Sequence, residues 1–142
     1  MIVRGFADAL KQDVVGMGFD KKVVYYEKPP WMRALLQAYG QAKRALDADY
    51  WVKRLDISLS LCAKGQVFII DDMRFPNELA WVKSRGGITI RLEREDYPAV
   101  SDDLSETALD DADFDHTVYG KSGELEDLIQ HVSDCLWYEG QK

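Results

Sequence analysis

The chain has 142 residues and a formal net charge of −7, which is the length of one domain able to bury a core. Hydrophobic residues make up 46% and charged residues 30%, a balance that argues against intrinsic disorder. The negative charge opposes broad binding to nucleic-acid backbones, and no apolar run approaches the roughly 20 residues that a membrane span needs. We therefore expect one domain, located in the cytoplasm, with no membrane partner.

The N-terminal quarter is predicted to be helical with one loop. Residues 1–4 form either a short strand or an extended lead-in, and apolar residues at helical spacing follow over residues 6–15. Gly16 and Gly18 end this helix. The charged and aromatic stretch 20–28 is predicted to be a loop, because it runs into two consecutive prolines.

Two more helices are predicted before the middle of the chain. The first covers residues 31–45, and Gly40 is a position where it can break into two pieces. The second is introduced by Asp47 and Asp49 and closed by Lys64 and Gly65. We expect its apolar residues to be mostly buried: Trp51, Val52, Leu55, Ile57, Leu59 and Leu61.

The clearest fold signal lies in residues 67–94. Residues 67–70 form an apolar run that suits a strand buried on both faces of a parallel sheet. Pro76 suits the first turn of a helix that continues over residues 77–85, and a second apolar strand covers residues 88–92. A right-handed crossover makes the two strands parallel, and ligands of such sheets bind at the carboxyl ends of the strands. We expect the polar side chains there to face one crevice: Asp71, Asp72, Arg74, Arg91, Glu93 and Arg94.

The C-terminal third is predicted to contain a flap, a strand and a helix. Residues 95–103 have no sustained period and are interpreted as an exposed flap, after which Ser105 caps a short helix over residues 106–109. Residues 114–119 alternate enough for a weaker strand. Ser122 is predicted to cap a last helix with one apolar face: Leu125, Leu128, Ile129 and Val132.

Neither cysteine nor histidine spacing indicates a metal or redox site. Cys62 and Cys135 are isolated from each other and from any histidine motif, so buried thiols are expected rather than a disulfide or a zinc site. His116 and His131 show no metal-ligand spacing and no nucleophile partner. We assign neither of them a catalytic role.

Five blocks, taken in order and spacing, resemble the phage-type deoxynucleoside monophosphate kinases: FADALK at 6–11, MRALLQAYGQAKR at 32–44, DYWV at 49–52, DDMRFPNE at 71–78 and SETAL at 105–109. The resemblance implies a P-loop kinase fold, a nucleotide ligand, and transfer of the terminal phosphate of ATP to a deoxynucleoside monophosphate. It extends from Phe6 almost to the C-terminus.

One feature of that family is absent. Its Gly-rich phosphate loop would lie before the FADALK block, where only five residues stand, and none of the ten glycines opens a GxxxxGK[ST] pattern. Without that loop, no lysine or backbone N–H cradle neutralises the ATP phosphates, and no hydroxyl holds Mg²⁺. We therefore expect the isolated chain not to transfer phosphate, and assign no catalytic residue.

The resemblance also implies roles for individual residues, each with a structural alternative. Asp72 would help to hold Mg²⁺ through water, or it simply ends a strand. Arg74 would bind substrate phosphate, which we favour over an ion pair with Glu78. Arg33 and Arg44 are further candidates for binding phosphate. For each of them, an ordinary surface arginine is an equally good interpretation.

The remaining candidates favour structural interpretations. Arg91 and Arg94 begin the stretch that would cover ATP, and without the ATP loop we favour a solvated or ion-paired role for both. Ser105 and Glu106 match a family motif that a helix cap explains equally well. Trp31, Tyr39 and Trp51 are candidates for base stacking, although aromatic residues at helical spacing more often belong to a core.

Taken together, the sequence predicts an α/β, three-layer, mainly parallel, truncated P-loop-kinase-like domain over residues 1–142. We expect a non-catalytic protein that binds a host protein or a nucleotide in the cytoplasm of a phage-infected cell. Because the first strand and the phosphate loop of the family are missing, we expect the sheet to have an exposed edge or crevice. An exposed edge favours self-association or a protein partner. The alternative is an active kinase, using ATP and Mg²⁺, whose P-loop comes from another chain or an upstream start.

Overall fold

The structure is a computed structural model that describes residues 1–94, 107–121 and 123–140. It is an α/β protein in which the chain divides into two compact units, Met1–Met73 and Arg74–Lys142. The organisation of the chain as a single domain stays a prediction. The predicted flap, the cap at Ser105 and the cap at Ser122 lie outside the described residues. Among those residues, no helix has the length and apolar character needed to cross a membrane.

The first unit contains a pair of short strands and three α-helices. Its elements in chain order are β1 (Ile2–Arg4), α1 (Ala7–Gly16), a π-helix (Val23–Glu27), α2 (Pro30–Leu46), α3 (Tyr50–Ser60) and β2 (Phe68–Ile70). The strands β1 and β2 are parallel, with Val3 opposite Ile69. The alternative of a strand at the N-terminus is therefore confirmed, as are the helices predicted over residues 6–15 and 31–45.

The prediction of a loop over residues 20–28 is wrong, because this stretch is helical. The Asp20 side chain accepts hydrogen bonds from the backbone N–H groups of Lys22 at 2.7 Å and Val23 at 3.3 Å, which caps the turn. The turn ends at Lys28, whose φ of 42° is left-handed. Burial of Val24 stabilises it further, since Val24 packs in a fully buried cluster with Val14 and Met32.

Gly40 does not break α2, which is continuous from Pro30 to Leu46. The glycine is buried where α2 approaches α1 and α3, and its carbonyl oxygen accepts a hydrogen bond from Trp51 Nε1 at 3.2 Å. A methyl group there would lie 3.6 Å from Leu10 Cδ2, an ordinary van der Waals contact, so Gly40 lies directly against α1. Its role is in packing between helices rather than in chain termination.

Helix α3 ends at Ser60, earlier than predicted, and the expected burial holds only for its first half. Trp51, Val52 and Leu55 are buried, whereas Ile57 is 60% exposed and Leu61 83% exposed. The predicted burial of Ile57 and Leu61 is therefore wrong. Ile57 lies outside the helical stripe formed by Trp51, Val52 and Leu55, and Leu61 follows the end of the helix.

The prediction that residues 67–70 are buried on both faces is also wrong. Val67 is 63% exposed and Ile69 is 40% exposed, and Val3 beside Ile69 on β1 is 56% exposed. One face of the β1–β2 pair is therefore apolar and open to solvent. An apolar run alone cannot distinguish a strand buried on both faces from one with an uncovered face.

The second unit places one helix against another pair of parallel strands. Its elements are α4 (Pro76–Ser84), β3 (Ile90–Arg94), β4 (His116–Gly120) and α5 (Leu125–Glu139). Strand β3 pairs with β4, with Ile90 opposite His116. The predicted helix over residues 77–85, the two predicted strands and the last helix are confirmed within two or three residues of their ends, whereas the predicted short helix over residues 106–109 begins outside the described residues and no helix is seen over residues 108–111. The described strands thus form two two-stranded parallel sheets, β1–β2 and β3–β4.

Helix α5 packs against β4 through only part of its apolar surface. A Cβ at Gly120 would lie 3.3 Å from Leu128 Cδ1, and Leu128 and Val132 are half-buried. Leu125 and Ile129, predicted to share their face, are 65% and 56% exposed. Cys62 and Cys135 are free thiols that form no disulfide, and both are half-buried, not fully buried.

Candidate functional site

In the first unit, an aspartate carboxylate contacts the backbone where β1 leads into α1. Gly5 and Phe6 alone connect these two elements, and Asp72 follows the end of β2. The Asp72 carboxylate accepts one hydrogen bond from the Phe6 backbone N–H at 2.8 Å and another from the Ala7 N–H at 2.9 Å. The first N–H groups of a helix lack partners within the helix, so Asp72 caps α1 from another element.

Gly5 permits this close approach. A Cβ at Gly5 would lie 2.4 Å from Asp72 Oδ2, a separation that non-bonded atoms do not adopt. The Gly5 N–H itself donates to Asp8 Oδ2 at 2.9 Å. The junction therefore needs a residue without a side chain at position 5.

The electrostatics of Asp72 combine two opposing effects. Burial raises the pKa of its carboxyl group above the usual aspartate value, while the N–H groups of Ala7 and Phe6, and Lys11 nearby, act to lower it. The positive end of α1 also favours a carboxylate there. The position at which a strand–helix junction usually receives a phosphate is thus filled by a side chain of this protein.

The described residues do not assemble a magnesium site around Asp72. Both carboxylate oxygens of Asp72 accept a hydrogen bond from a backbone N–H group. These hydrogen bonds use lone pairs that would otherwise be available to a cation. Nor do residues 1–94, 107–121 and 123–140 contain any group of three or more acidic, histidine or cysteine side chains placed to hold a metal ion.

A second polar cluster joins α1 to α2 and α3. Arg54 forms a two-pronged contact with Asp13, with Nη2 2.9 Å from Oδ1 and Nη1 3.3 Å from Oδ2. The Tyr39 hydroxyl donates to Asp13 at 3.2 Å, and Arg54 Nη1 lies 3.3 Å from the Tyr50 hydroxyl. The hydrogen bond to Asp13 raises the pKa of Arg54. Burial raises the pKa of the Tyr39 hydroxyl.

Aromatic rings surround this cluster. Lys43 Nζ lies 5.4 Å from the Tyr39 ring centroid and 5.1 Å from that of Tyr50, and the buried Trp51 packs edge-on against Tyr50 at 4.8 Å. Tyr39 and Trp51 therefore take part in the packing between helices, which was the alternative to base stacking. Sequence reasoning missed Asp13 and Arg54, although Tyr50 and Arg54 stand at the i, i+4 spacing that brings helical side chains together.

Arg33 and Arg44 lie on α2, in the first unit. Arg33 is exposed, and its Nε donates to the Lys28 carbonyl oxygen at 2.9 Å, which fastens the end of the π-helix. Arg44 is half-buried, with its guanidinium beside Gly40. The exposed Trp31 packs against Phe19 with ring centroids 6.2 Å apart. These positions are compatible with a solvent-facing cationic side of α2.

Arg74 lies in the second unit, at the entrance to α4. Its backbone N–H donates to Glu78 Oε2 at 2.8 Å, and the Phe75 N–H donates to the same oxygen at 3.1 Å. Glu78 is only 1% exposed, so it is a buried cap of α4. A signal for this cap is present in the sequence, because Pro76 and Glu78 occupy the first and third helical positions.

Arg91 is tied into its own unit. Its Nη1 donates to the carbonyl oxygens of Leu109 at 3.0 Å and Asp110 at 2.8 Å, and its Nε lies 3.2 Å from Glu93 Oε1. The guanidinium also stacks on Phe114 at 5.3 Å from the ring centroid. This geometry agrees with the ion-paired alternative for Arg91. Arg94 is the last residue of β3.

A further aspartate, absent from the predicted sites, ties β3 to β4. Asp115 Oδ2 accepts hydrogen bonds from the Thr89 N–H at 2.8 Å and from the Thr89 hydroxyl at 2.6 Å. These hydrogen bonds, that of the hydroxyl foremost, hold the pKa of Asp115 below its usual value. His116 is paired through Nε2 with Glu139 at 3.0 Å, which gives it a structural contact.

The geometry divides the six predicted ligand-binding residues between the units. Arg33, Arg44 and Asp72 belong to the first unit, and Arg74, Arg91 and Arg94 to the second. No protein-family model matches the chain, and no curated protein matches it either. The kinase-like resemblance and the residue roles drawn from it therefore stay predictions that rest on the quoted motifs.

Proposed function

We propose that this protein is a non-catalytic relative of the phage-type deoxynucleoside monophosphate kinases, with a three-layer P-loop-kinase-like fold, that acts by binding a protein partner. The observation that carries the proposal is the junction between β1 and α1. Two residues span it, and the Asp72 carboxylate accepts the N–H groups of Phe6 and Ala7.

This junction is the place that a phosphate loop would occupy in a P-loop kinase. Transfer from ATP depends on backbone N–H groups, a lysine and a metal ion that together neutralise the phosphate charges. A fixed carboxylate at the same helix end would instead repel a phosphate, and a Gly5 in contact with that carboxylate leaves no room for one. Both features support binding without catalysis.

The β1–β2 pair supports a protein as the bound partner. Its open face carries Val3, Val67 and Ile69, and within the described residues no third strand pairs with either strand. Apolar sheet faces and open strand edges are surfaces to which other protein chains add. A host protein fits this requirement better than a free nucleotide, which would need cations rather than aliphatic side chains.

The test is a coupled assay of ADP release with ATP, Mg²⁺ and each of the four common deoxynucleoside monophosphates in turn. We expect turnover at the level of a protein-free blank, while an active nucleotide kinase in the same mixture verifies the assay. Turnover that depends on one of the monophosphates would overturn the proposal. It would favour the alternative of an active kinase.

Calorimetric titration with the same monophosphates addresses the ligand. We expect no saturable heat, since the proposed partner is a protein. A saturable signal lost in Arg44→Ala but kept in Lys121→Ala would show instead that the protein binds a nucleotide through α2. Lys121 is a suitable control because it is an exposed cation of the other unit.

A further inference from the structure

Helix α5 carries a continuous stripe of exposed aliphatic side chains. Leu125 is 65% exposed, Ile129 56% and Leu136 50%. Their spacings of four and seven residues place all three within an arc of about 40° on the helix. The stripe lies next to the side that packs on β4, where Leu128 and Val132 are half-buried.

Trp137 extends this exposed surface around the helix. It is 70% exposed, which is unusual for the largest apolar side chain. Tryptophan is also among the residues that contribute most when they become buried in a protein interface. We call Leu125, Ile129, Leu136 and Trp137 the α5 surface.

The aspartate, glutamate, lysine and arginine charges of helix α5 itself have one sign, and the exposed cation Lys121 lies four residues before Leu125. Helix α5 contains no lysine and no arginine, whereas it carries Glu126, Asp127, Asp134 and Glu139. Glu139 is paired with His116, and the other three acidic side chains are exposed. An apolar stripe beside acidic side chains is complementary to an apolar stripe beside basic ones.

We propose that the α5 surface is a docking site for a basic amphipathic helix of another protein. This proposal rests on the protein-binding function proposed above and names the chemistry of the partner. Charge complementarity selects the occupant. A second copy of this chain would bring like-charged helices together, and an anionic membrane or nucleic acid would meet the same repulsion.

An aliphatic stripe on the partner covers Leu125, Ile129 and Leu136, in the manner of helices that bind through residues at i, i+4 and i+7. Lysine or arginine side chains on one flank of that stripe lie against Glu126, which stands one helical turn before Ile129. Trp137 is an anchor at the end of the contact. The apolar contacts supply most of the affinity, and the charges select the partner and accelerate its association.

The experiment uses the full chain and synthetic peptides of about 18 residues, or five helical turns. The test peptide contains only leucine and lysine, arranged with one apolar stripe. One comparison peptide has the same composition in an order that destroys the stripe, and another replaces every lysine by glutamate. Binding is followed by fluorescence anisotropy of a label on the peptide.

We expect the striped basic peptide to bind about tenfold or more tightly than either comparison peptide. The double variant Ile129→Ser with Leu136→Ser should lose about tenfold or more in affinity. The matched control is Leu46→Ser, a leucine that is 84% exposed at the end of α2 in the other unit. Thermal melts of all variants establish that each is folded at the temperature of the titration.

Equal binding of the three peptides would overturn the proposal, as would undiminished binding to the serine variant. Light scattering that shows a dimer, dissociated by Ile129→Ser with Leu136→Ser, would also overturn it by identifying a second copy as the occupant. These outcomes are separate from the test of the proposed function. Substrate-dependent ADP release would refute the non-catalytic function whatever the peptides do.

Discussion

The two strand pairs of this protein are each fastened by an aspartate, but at opposite ends. Asp72 follows β2 and caps α1 at the carboxyl ends of β1 and β2. Asp115 precedes β4 and holds Thr89, which precedes β3, so it lies at the amino ends of those strands. Ligands of parallel sheets bind at the carboxyl ends. Asp72 therefore occupies a place where a ligand is expected, whereas Asp115 occupies a place that serves stability.

The environments of the two carboxylates differ as well. Burial dominates at Asp72 and raises its pKa, while the hydrogen bond from the Thr89 hydroxyl dominates at Asp115 and lowers its pKa. Similar numbers of donors thus lead to opposite shifts because one carboxylate loses more water than the other. The comparison teaches that capping hydrogen bonds favour the charged form of a carboxylate only where they outweigh its desolvation.

The largest expected effect concerns the space around Asp72. Gly5→Val should lower the free energy of unfolding by about 2–3 kcal/mol, since its Cβ would lie 2.4 Å from Asp72 Oδ2. Urea denaturation followed by circular dichroism measures the change. Gly16→Ala is the control, because a Cβ there meets nothing within 4 Å. Equal stability of both variants would mean that the junction is looser than described.

A smaller effect is expected at the other strand pair. Asp115→Ala removes both hydrogen bonds to Thr89, which is only 2% exposed, and should cost about 1–2 kcal/mol because a buried donor loses its charged acceptor. Thermal denaturation detects this loss. Asp113→Ala is the control, since the Asp113 side chain is fully exposed and should leave the melting midpoint unchanged. A midpoint unchanged in both variants would contradict the role of Asp115.

The smallest expected effect is in the pH dependence of stability. For Asp115 the folded pKa is lowered, so its stabilising contribution is present above the usual aspartate pKa of about 4 and is lost as pH falls through the lowered value. For Asp72 the folded pKa is raised, so its contribution falls as pH rises from about 4 through the raised value.

Urea denaturation between about pH 3 and pH 7 separates these contributions. Relative to the wild type, Asp115→Asn should become less destabilising as pH falls. In contrast, Asp72→Asn should become more destabilising relative to the wild type as pH falls. The reason is that protonation of Asp72 in the wild type removes a buried charge and so stabilises the folded wild-type protein. Parallel pH profiles for the two asparagine variants would remove the distinction between the carboxylates.

Local patterns predicted the helices and strands well, and burial less well. Pro76 and Gly86 bracket α4, so its position follows from backbone chemistry alone. Ile57, Leu61 and Ile69 have the apolar character of core residues but are exposed. Whether an apolar side chain is covered depends on contacts between distant segments, about which hydrophobic periodicity carries no information.

The same distinction applies to the candidate site. The position of Asp72 after a strand is readable from the sequence, and the strand it follows is confirmed. Its partners are Phe6 and Ala7, distant in sequence, so no local pattern indicates that the carboxylate caps α1. Arg91 is similarly occupied by Leu109 and Asp110, which local spacing does not reveal.

The sequence separation of the two aspartate contacts has a consequence for the order of folding. Phe6 and Asp72 are 66 residues apart, whereas Thr89 and Asp115 are 26 apart. Closing the longer loop costs about 0.8 kcal/mol more chain entropy. Strands β3 and β4 should therefore pair early in refolding and β1 and β2 late. Pulse-labelling hydrogen exchange that finds Val3 protected before Val118 would contradict this order.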